Sequence, residues 1–480
     1  MFSKADKKTL LIYSGFALLF IYPIIQSGGF YRDDLDRSIT GQYGWRGLGR
    51  PVADILMKIL SASGHYNLDL FPYTMIASCL FIAGASLLLS RHLIKLDIPN
   101  EKIVAALLIF NPFILQNMAY RYDCLGMSVA FFLATMAYTY DNSSVFKSIS
   151  VKIITGVLSL TLYQPCANIF IGFLAIDFII IAIRRHVSIK EAIALTFRKA
   201  ILFISFYFIY APFFAPKNNS RAELIPLNTE GLAHLSGTLN SLKELVLSYF
   251  YNPVYIYFTI PIVIICVFMV VSYYTHKEKI LPFIIYGFIS FLIFLVSLLG
   301  PAVLLQDAPV FPRSLVSFSV ILVIIAIPVM HFAPCLKYVS LIPVITVFAF
   351  SAQLSSAMKS QQDYENFVFN MIAKDISSHN NLTSIGTVGW LNFNERTKIL
   401  IENKPLIGYF VFPATEFLAS FQLINKGLPQ TLHGYGDEKG NKDRLANMIN
   451  KGVTPVSYNE YYSLFISDNN AIVVLGRNYF

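Results

Sequence analysis

Apolar stretches of roughly twenty residues recur along this chain, and nothing else in the sequence constrains its fold as tightly. Crossing a hydrocarbon core of ~30 Å takes about 20 apolar residues in a helix, and shorter runs suffice when flanking polar groups reach back to the surface. Eleven segments qualify, at 10–27, 71–90, 103–118, 124–140, 147–163, 168–184, 199–215, 253–273, 280–298, 314–332 and 338–354. The fifth requires Lys147 and Lys152 to snorkel. Composition agrees. A soluble chain carries about 25% charged residues, whereas this one has 14%, with 55% hydrophobic and 15% aromatic. The expectation is a polytopic α-helical membrane protein of about 11 transmembrane helices. The first stretch is too long for the apolar region of a cleavable signal, and the Ser-Gly-Gly-Phe behind it is a poor cleavage site.

Lysine and arginine placement orients the spans. With a cytoplasmic N-terminus, the inner loops hold cations at 4–8, 91–102, 147–152, 184–199, 277–279 and 337. The short outer loops hold only Arg121 and Arg313, and the loop after the seventh span holds Lys217, Arg221 and Lys243. An odd number of spans then sends the C-terminus outside. The first outer loop, 28–70, breaks the pattern with Arg32, Arg37, Arg46, Arg50 and Lys58. Topology selection does not place five cations there, so another demand must. Within that loop, 51–63 reads PVADILMKILSAS, with apolar residues at helical spacing behind a proline suited to a first turn. It reads as an amphipathic juxtamembrane helix or as a plain connecting helix.

From residue 358 the charge density rises and the apolar runs shorten. Residues 1–357 therefore read as a membrane domain and 358–480 as a small soluble α/β domain on the outer side. Strands are expected at 382–390, 408–412 and 471–475, and helices at 362–378 and 443–450.

The chemistry concentrates in FYRDDLDR, residues 30–37, directly after the first span. Ionised groups at a bilayer boundary are costly to hold without partners, so such a cluster marks function by default. Asp33 and Asp34 are candidates for a general base that takes a proton from a hydroxyl. Adjacent residues do not both point into one site in regular structure, so one serves as base while the other holds the acceptor or an arginine. Arginine forks suit phosphate oxygens, which makes Arg32, Arg37, Arg50, Arg121 and Arg313 candidates for a departing lipid phosphate. Each also suits an anchor to lipid head groups. Two short loops that each keep one cation, Arg121 and Arg313, point to one shared anionic ligand. Asp36, Tyr122 and Asp123 are candidates for sugar hydroxyls, with neutralising an arginine the plainer reading of Asp123. Gln164 in LYQPCAN fits a sugar hydrogen bond or a helix-end cap, and Tyr43 and Trp45 fit a stacking platform or an interfacial belt.

Other chemistries find little support. Net charge +9 comes without a basic run, so no nucleic-acid partner is expected. Five cysteines, an odd number, do not form a disulfide framework, and only Cys124 and Cys166 are placed to meet on the outer side. His65, His234, His379 and His433 are scattered without metal-ligand spacing, so no metal site is expected. No phosphate-cradling glycine loop marks a nucleotide-sugar donor.

With FYRDDLDR followed by GRPVADIL, then NMAYRYDCLGM, LYQPCAN and VFPRSL, the chain resembles the serotype-converting O-antigen glucosyltransferases of bacteria and their phages, the glucosyl transferase II (Gtr) family. The resemblance covers roughly residues 10–335 and not the tail. It implies a type C glycosyltransferase fold whose catalytic base is an acidic residue of the first outer loop, here Asp33 or Asp34. It further implies undecaprenyl-phosphate-glucose as donor, lipopolysaccharide O-antigen as acceptor, and inverting transfer on the periplasmic face of the inner membrane. A lipid-linked sugar transporter or flippase fits less well, because the charges gather at one surface and no internal repeat is visible. An O-antigen polymerase or ligase would place its charged outer loop late in the membrane region, not first.

Overall fold

A computed structural model describes residues 3–184, 188–216, 223–276, 280–379, 381–432 and 438–476. Arg185, Lys217, Arg221, Lys277, Lys279 and His433 lie outside these residues. In chain order the helices are α1 (Lys4–Ser27), α2 (Asp34–Thr40), α3 (Pro51–Leu60), α4 (Tyr73–Lys95), α5 (Glu101–Ala106), α6 (Ile114–Ala119), α7 (Cys124–Thr139), α8 (Val145–Leu162) and α9 (Ile169–Arg184). They continue as α10 (Ile189–Phe214), α11 (Thr229–Tyr249), α12 (Val254–His276), α13 (Leu281–Leu299), α14 (Val320–Phe332), α15 (Ile342–Ser377), α16 (Glu395–Asn403), α17 (Glu416–Asn425) and α18 (Glu438–Asn450). Four strands, β1 (Ser384–Gly389), β2 (Ser457–Tyr458), β3 (Tyr462–Ser467) and β4 (Asn470–Leu475), lie near the C-terminus. The chain divides into two compact units. One holds Met1–Gln26, Tyr43–Ala62 and Leu70–Ala352; the other holds Ser27–Gln42, Ser63–Asp69 and Gln353–Phe480.

The first unit is helical. Among the described residues of the chain, eight helices are long and apolar enough to cross a membrane, and eight of the eleven expected stretches fall on them. The other three are short or broken. The stretch at 103–118 splits into α5, a 3₁₀ turn at Leu107–Ile109 and α6, interrupted where Asn111 and Pro112 remove regular helix geometry. The stretch at 124–140 gives α7, of 16 residues, and that at 314–332 gives only the 13 residues of α14. The centre of this unit is α9: the helical segment Gln164–Arg184 is 94% buried over its most apolar window. It packs on α13 and α14, while α7 packs on α4 and α8. Cys124 and Cys166, both buried, are free thiols.

Helix α15 has 36 residues, a length of about 54 Å at 1.5 Å per residue, well beyond a ~30 Å core. Its apolar half ends near Ala352, and the polar half with Lys359, Asp363 and Glu365 belongs to the second unit. There the sheet runs in the order β1-β4-β3-β2, with β1 parallel to β4 and the other pairs antiparallel. Beyond Asn470, strand β4 is apolar because both of its faces are covered. Ala471, Val473 and Leu475 meet Val368, Phe369 and Ile372 of α15 and Leu423 of α17. Ile472 and Val474 meet Leu445 and Met448 of α18. The expected strand at 408–412 is absent: Pro405–Tyr409 forms a 3₁₀ turn that buries Leu406 and Ile407. Its apolar residues fill the core from a loop, which a short apolar run cannot distinguish from a strand. The helix expected at 362–378 is the second half of α15, and 443–450 is the end of α18.

Candidate active site

In the first unit, the loop before α3 is built to deliver Arg50. Trp45 starts a 3₁₀ turn over Arg46–Leu48, and Gly49 leaves it at φ +72°, a conformation that favours glycine. Arg50 then caps α3, with Pro51 in its first turn. The Gly49 carbonyl accepts the Tyr210 hydroxyl at 3.0 Å, and that hydroxyl accepts Gln164 Nε2 at 2.7 Å. Gln164 Nε2 also donates to the Leu48 carbonyl at 2.9 Å, while its Oε1 accepts Arg50 Nε at 2.9 Å. One carboxamide thus fixes both the turn and the guanidinium. The guanidinium lies over the Tyr163 ring, 4.6 Å from its centre. Among the described residues no acceptor bonds its two Nη nitrogens. Burial and the neighbouring Arg313 charge pull the Arg50 pKa below its ordinary value, against the influence of Tyr163 and Asp123.

Arg313 is held from several sides. Its backbone N–H donates to Gln116 Oε1 at 2.9 Å, its carbonyl accepts Asn117 Nδ2 at 3.2 Å and the Tyr163 hydroxyl at 3.3 Å, and its guanidinium reaches the Tyr120 hydroxyl. Asp123 accepts the Trp45 indole N–H at 2.6 Å, and Trp45 is 1% exposed. Arg121, also buried, stacks 4.3 Å from the Phe71 ring centre, and its carbonyl accepts the Thr74 hydroxyl at 2.9 Å. Tyr122 is buried beside it in sequence, and Tyr43 lies 6.3 Å from the Trp45 ring. Arg50, Arg313, Asp123 and Tyr163 therefore share one environment: two guanidinium groups close enough to oppose each other, with one carboxylate, in a partly buried place. Such a place favours an anion that needs directed N–H donors.

The carboxylates of FYRDDLDR lie in the second unit. Arg32 takes φ +50°, unusual for a side-chain-bearing residue, and turns the chain into α2. Asp33 is its half-exposed N-cap and pairs with Arg37 at 3.4 Å, one helical turn on. Asp34 is fully buried, and its Oδ2 accepts the Tyr31 N–H at 3.3 Å. Asp36, 4% exposed, accepts from Gln42 Nε2 and, at 3.4 Å, from the Thr40 hydroxyl, so it pins the end of its own helix. The Arg32 guanidinium sits 3.6 Å over the Phe412 ring. The expected site residues thus divide, with Arg32, Asp33, Asp34, Asp36 and Arg37 in one unit and Tyr43, Trp45, Arg50, Arg121, Tyr122, Asp123, Gln164 and Arg313 in the other.

Several participants escaped the sequence reading. Tyr163 and Tyr120 adjoin residues already singled out, and that adjacency was the available signal; Tyr210 and Gln116 offered none. Asp54 of α3 is 2% exposed and takes Arg46 and Lys58 at 2.9 Å each, which accounts for two of the five surplus cations of the first loop. Deeper in the first unit, His92 Nε2 meets Asp177 Oδ1 at 2.7 Å, the Tyr138 hydroxyl bonds the same carboxylate, and Lys199 lies 3.4 Å from the Tyr138 ring centre. Among the described residues no three His, Cys, Asp or Glu side chains gather as a metal-ligand set.

The family model described as glucosyl transferase GtrII matches residues 22–330, more than half of the 480. The chain is also similar to an uncharacterized 55.3 kDa protein in the gtrB 5' region of Salmonella phage P22, 26% identical over 238 residues. The aligned part is 48% of each chain, so it spans about half the length of that relative. No solved structure matches.

Proposed function

The chain belongs to the GtrII glucosyl transferase family, and from that membership we propose that it transfers glucose from undecaprenyl-phosphate-glucose to a sugar hydroxyl of lipopolysaccharide O-antigen. The reaction takes place on the periplasmic face of the bacterial inner membrane. One observation carries the reading above all: the family match takes in FYRDDLDR, the Arg50 environment, Arg121 and Arg313 together. Asp33 or Asp34 acts as general base. The acceptor oxygen attacks the anomeric carbon as its proton passes to that carboxylate, and the bond from carbon to phosphate oxygen breaks with inversion. The electron pair leaves with the polyprenyl phosphate.

Arginine donors stabilise that departing charge, from Arg32, Arg37, Arg50, Arg121 and Arg313. Arg50 is the best prepared of them. Its Nε is held by Gln164, its face by Tyr163, and its Nη nitrogens remain for phosphate oxygens. Gln164 works through Arg50, and Trp45 through Asp123; Asp36, Tyr43, Tyr122 and Asp123 complete the sugar-facing set.

The test is transfer by the purified chain in detergent from synthetic undecaprenyl-phosphate-glucose to delipidated O-antigen. Glucose incorporation without added nucleotide is expected. Incorporation from a pyrophosphate-linked or nucleotide donor alone would overturn the reading.

A further inference from the structure

A hollow of about 220 Å³, lined by both polar and apolar side chains, lies within the second unit, between the entry to FYRDDLDR and the polar half of α15. Its geometry is fixed by close contacts. Gly29 passes so near α15 that a Cβ there would stand 2.9 Å from Gln362 Oε1. The Tyr31 hydroxyl donates to the Phe410 carbonyl at 2.9 Å, and Arg32 covers the Phe412 ring. Around this frame stand Gln362, Glu365, Asn366 and Gln422. Glu365 Oε1 accepts from Gln361 Nε2 at 2.9 Å and from the Ala414 N–H at 2.8 Å, which leaves Oε2. Asn366 Oδ1 accepts from Lys426 at 3.2 Å, which leaves its Nδ2. Among the described residues those two atoms and the carboxamides of Gln362 and Gln422 make no bond within the protein.

Carboxamides present donors and acceptors side by side, as a ring of hydroxyl groups requires. Aromatic faces beside them suit the apolar face of a sugar. A phosphate would want donors alone, and a lipid chain would want neither. The volume is below the 300–1,000 Å³ or so of a drug-sized pocket, which fits a single ring. Arg32 lines this hollow and is joined directly to Asp33.

We propose that this hollow is a saccharide subsite that grips one pyranose residue of the acceptor, a neighbour of the sugar that receives glucose. The proposal rests on the reading of FYRDDLDR as the catalytic segment. It adds a specificity element to which residues between 358 and 425, outside the family match, contribute.

Saturation-transfer NMR on the full chain in detergent, with delipidated O-antigen fragments of one and two repeat units, tests binding without any transfer step. In wild type, saturation should concentrate on one sugar residue and survive excess inorganic phosphate. Asn366→Ala and the space-filling Gln422→Trp should each cut it at least fivefold. In transfer assays both should raise the acceptor KM about tenfold, the worth of one lost hydrogen bond, with kcat and donor KM within twofold. Unaltered donor KM and melting temperature certify the fold, and Gln362→Ala repeats the test from the facing wall. Unchanged acceptor KM in folded variants, no fragment binding to wild type, or displacement by phosphate would each overturn the subsite. Fragment binding that the variants abolish, in a protein that never transfers glucose, would instead sink the glucosyl-transfer reading and leave the subsite standing.

Discussion

Replacing Glu365 with glutamine should change the stability of this protein in a pH-dependent way, and both sign and size follow from the structure. Glu365 lies beyond the apolar half of α15, in the wall of the saccharide hollow. Burial pushes its carboxyl from 4.5 up to about 7, against the lowering influence of the bonds from Gln361 and the Ala414 N–H. Between those two pH values the folded protein holds a proton that the unfolded chain releases. The stabilisation is therefore fully present below pH 4.5 and is lost as pH rises through 7. A shift of that size corresponds to about 3 kcal/mol. Glutamine offers an oxygen to both donors and does not titrate. Wild type and Glu365→Gln should thus be similar near pH 4.5, and the variant should gain about 3 kcal/mol over wild type by pH 8. Denaturant unfolding of the full chain in detergent measures this, with Trp390 as reporter. The sequence holds two tryptophans, so a Trp45→Phe background leaves Trp390, in the second unit, alone. A gap that stays constant from pH 4.5 to 8, or a wild type more stable than the variant at pH 8, would refute the reasoning.

Other consequences are open to measurement. Of Asp33→Asn and Asp34→Asn, at least one should lower kcat for glucosyl transfer by about 10²–10⁴, the usual contribution of a general base, with normal membrane levels; near-wild-type turnover in both would remove the base from this segment. Arg50→Lys keeps the charge but loses the fork and the Gln164 contact through Nε, so the donor KM should rise at least tenfold while the acceptor KM stays put; equal shifts in both would speak against a phosphate role. Asp177→Asn leaves His92 and the Tyr138 hydroxyl without their shared carboxylate, which should cost about 3–5 kcal/mol of stability in thermal or denaturant melts. A melting curve superimposable on wild type would show that the cluster is not a structural tie.

What could be read from the sequence followed from periodicity and chain order. Long apolar runs announce membrane-length helices because no soluble core uses them at that density. Two of the three runs that give no membrane-length helix carry visible interruptions: Asn111-Pro112 inside one, and Ser314, Ser317 and Ser319 at the head of another. Pairings across the chain were not legible. Arg50 and Gln164 are 114 positions apart, and Trp45 and Asp123 are 78 apart; no local pattern in the sequence shows which distant side chains meet. Glu365 was hidden for a different reason. It stands among Lys359, Asp363 and Asn366 on a helix that reads as solvated, and only the fold turns it inward.

The five surplus cations of the first loop now separate by cause. Arg46 and Lys58 neutralise the buried Asp54, a local requirement of α3. Arg37 pairs with Asp33 one turn away, and Arg32 lies on an aromatic face. Arg50, half-buried, is held instead by a neutral carboxamide and an aromatic ring, beside a second guanidinium. Holding two like charges together in a partly buried place opposes folding unless something compensates, and Asp123 supplies a single negative charge that also serves Trp45. On the proposed function, the phosphate of the lipid donor would bring the missing charge together with oxygens for the Nη donors. A lipid phosphate bound there, as proposed, would account for the arrangement, and Arg50, whose Nη nitrogens make no bond among the described residues, is on that reading the residue whose loss the donor should feel most.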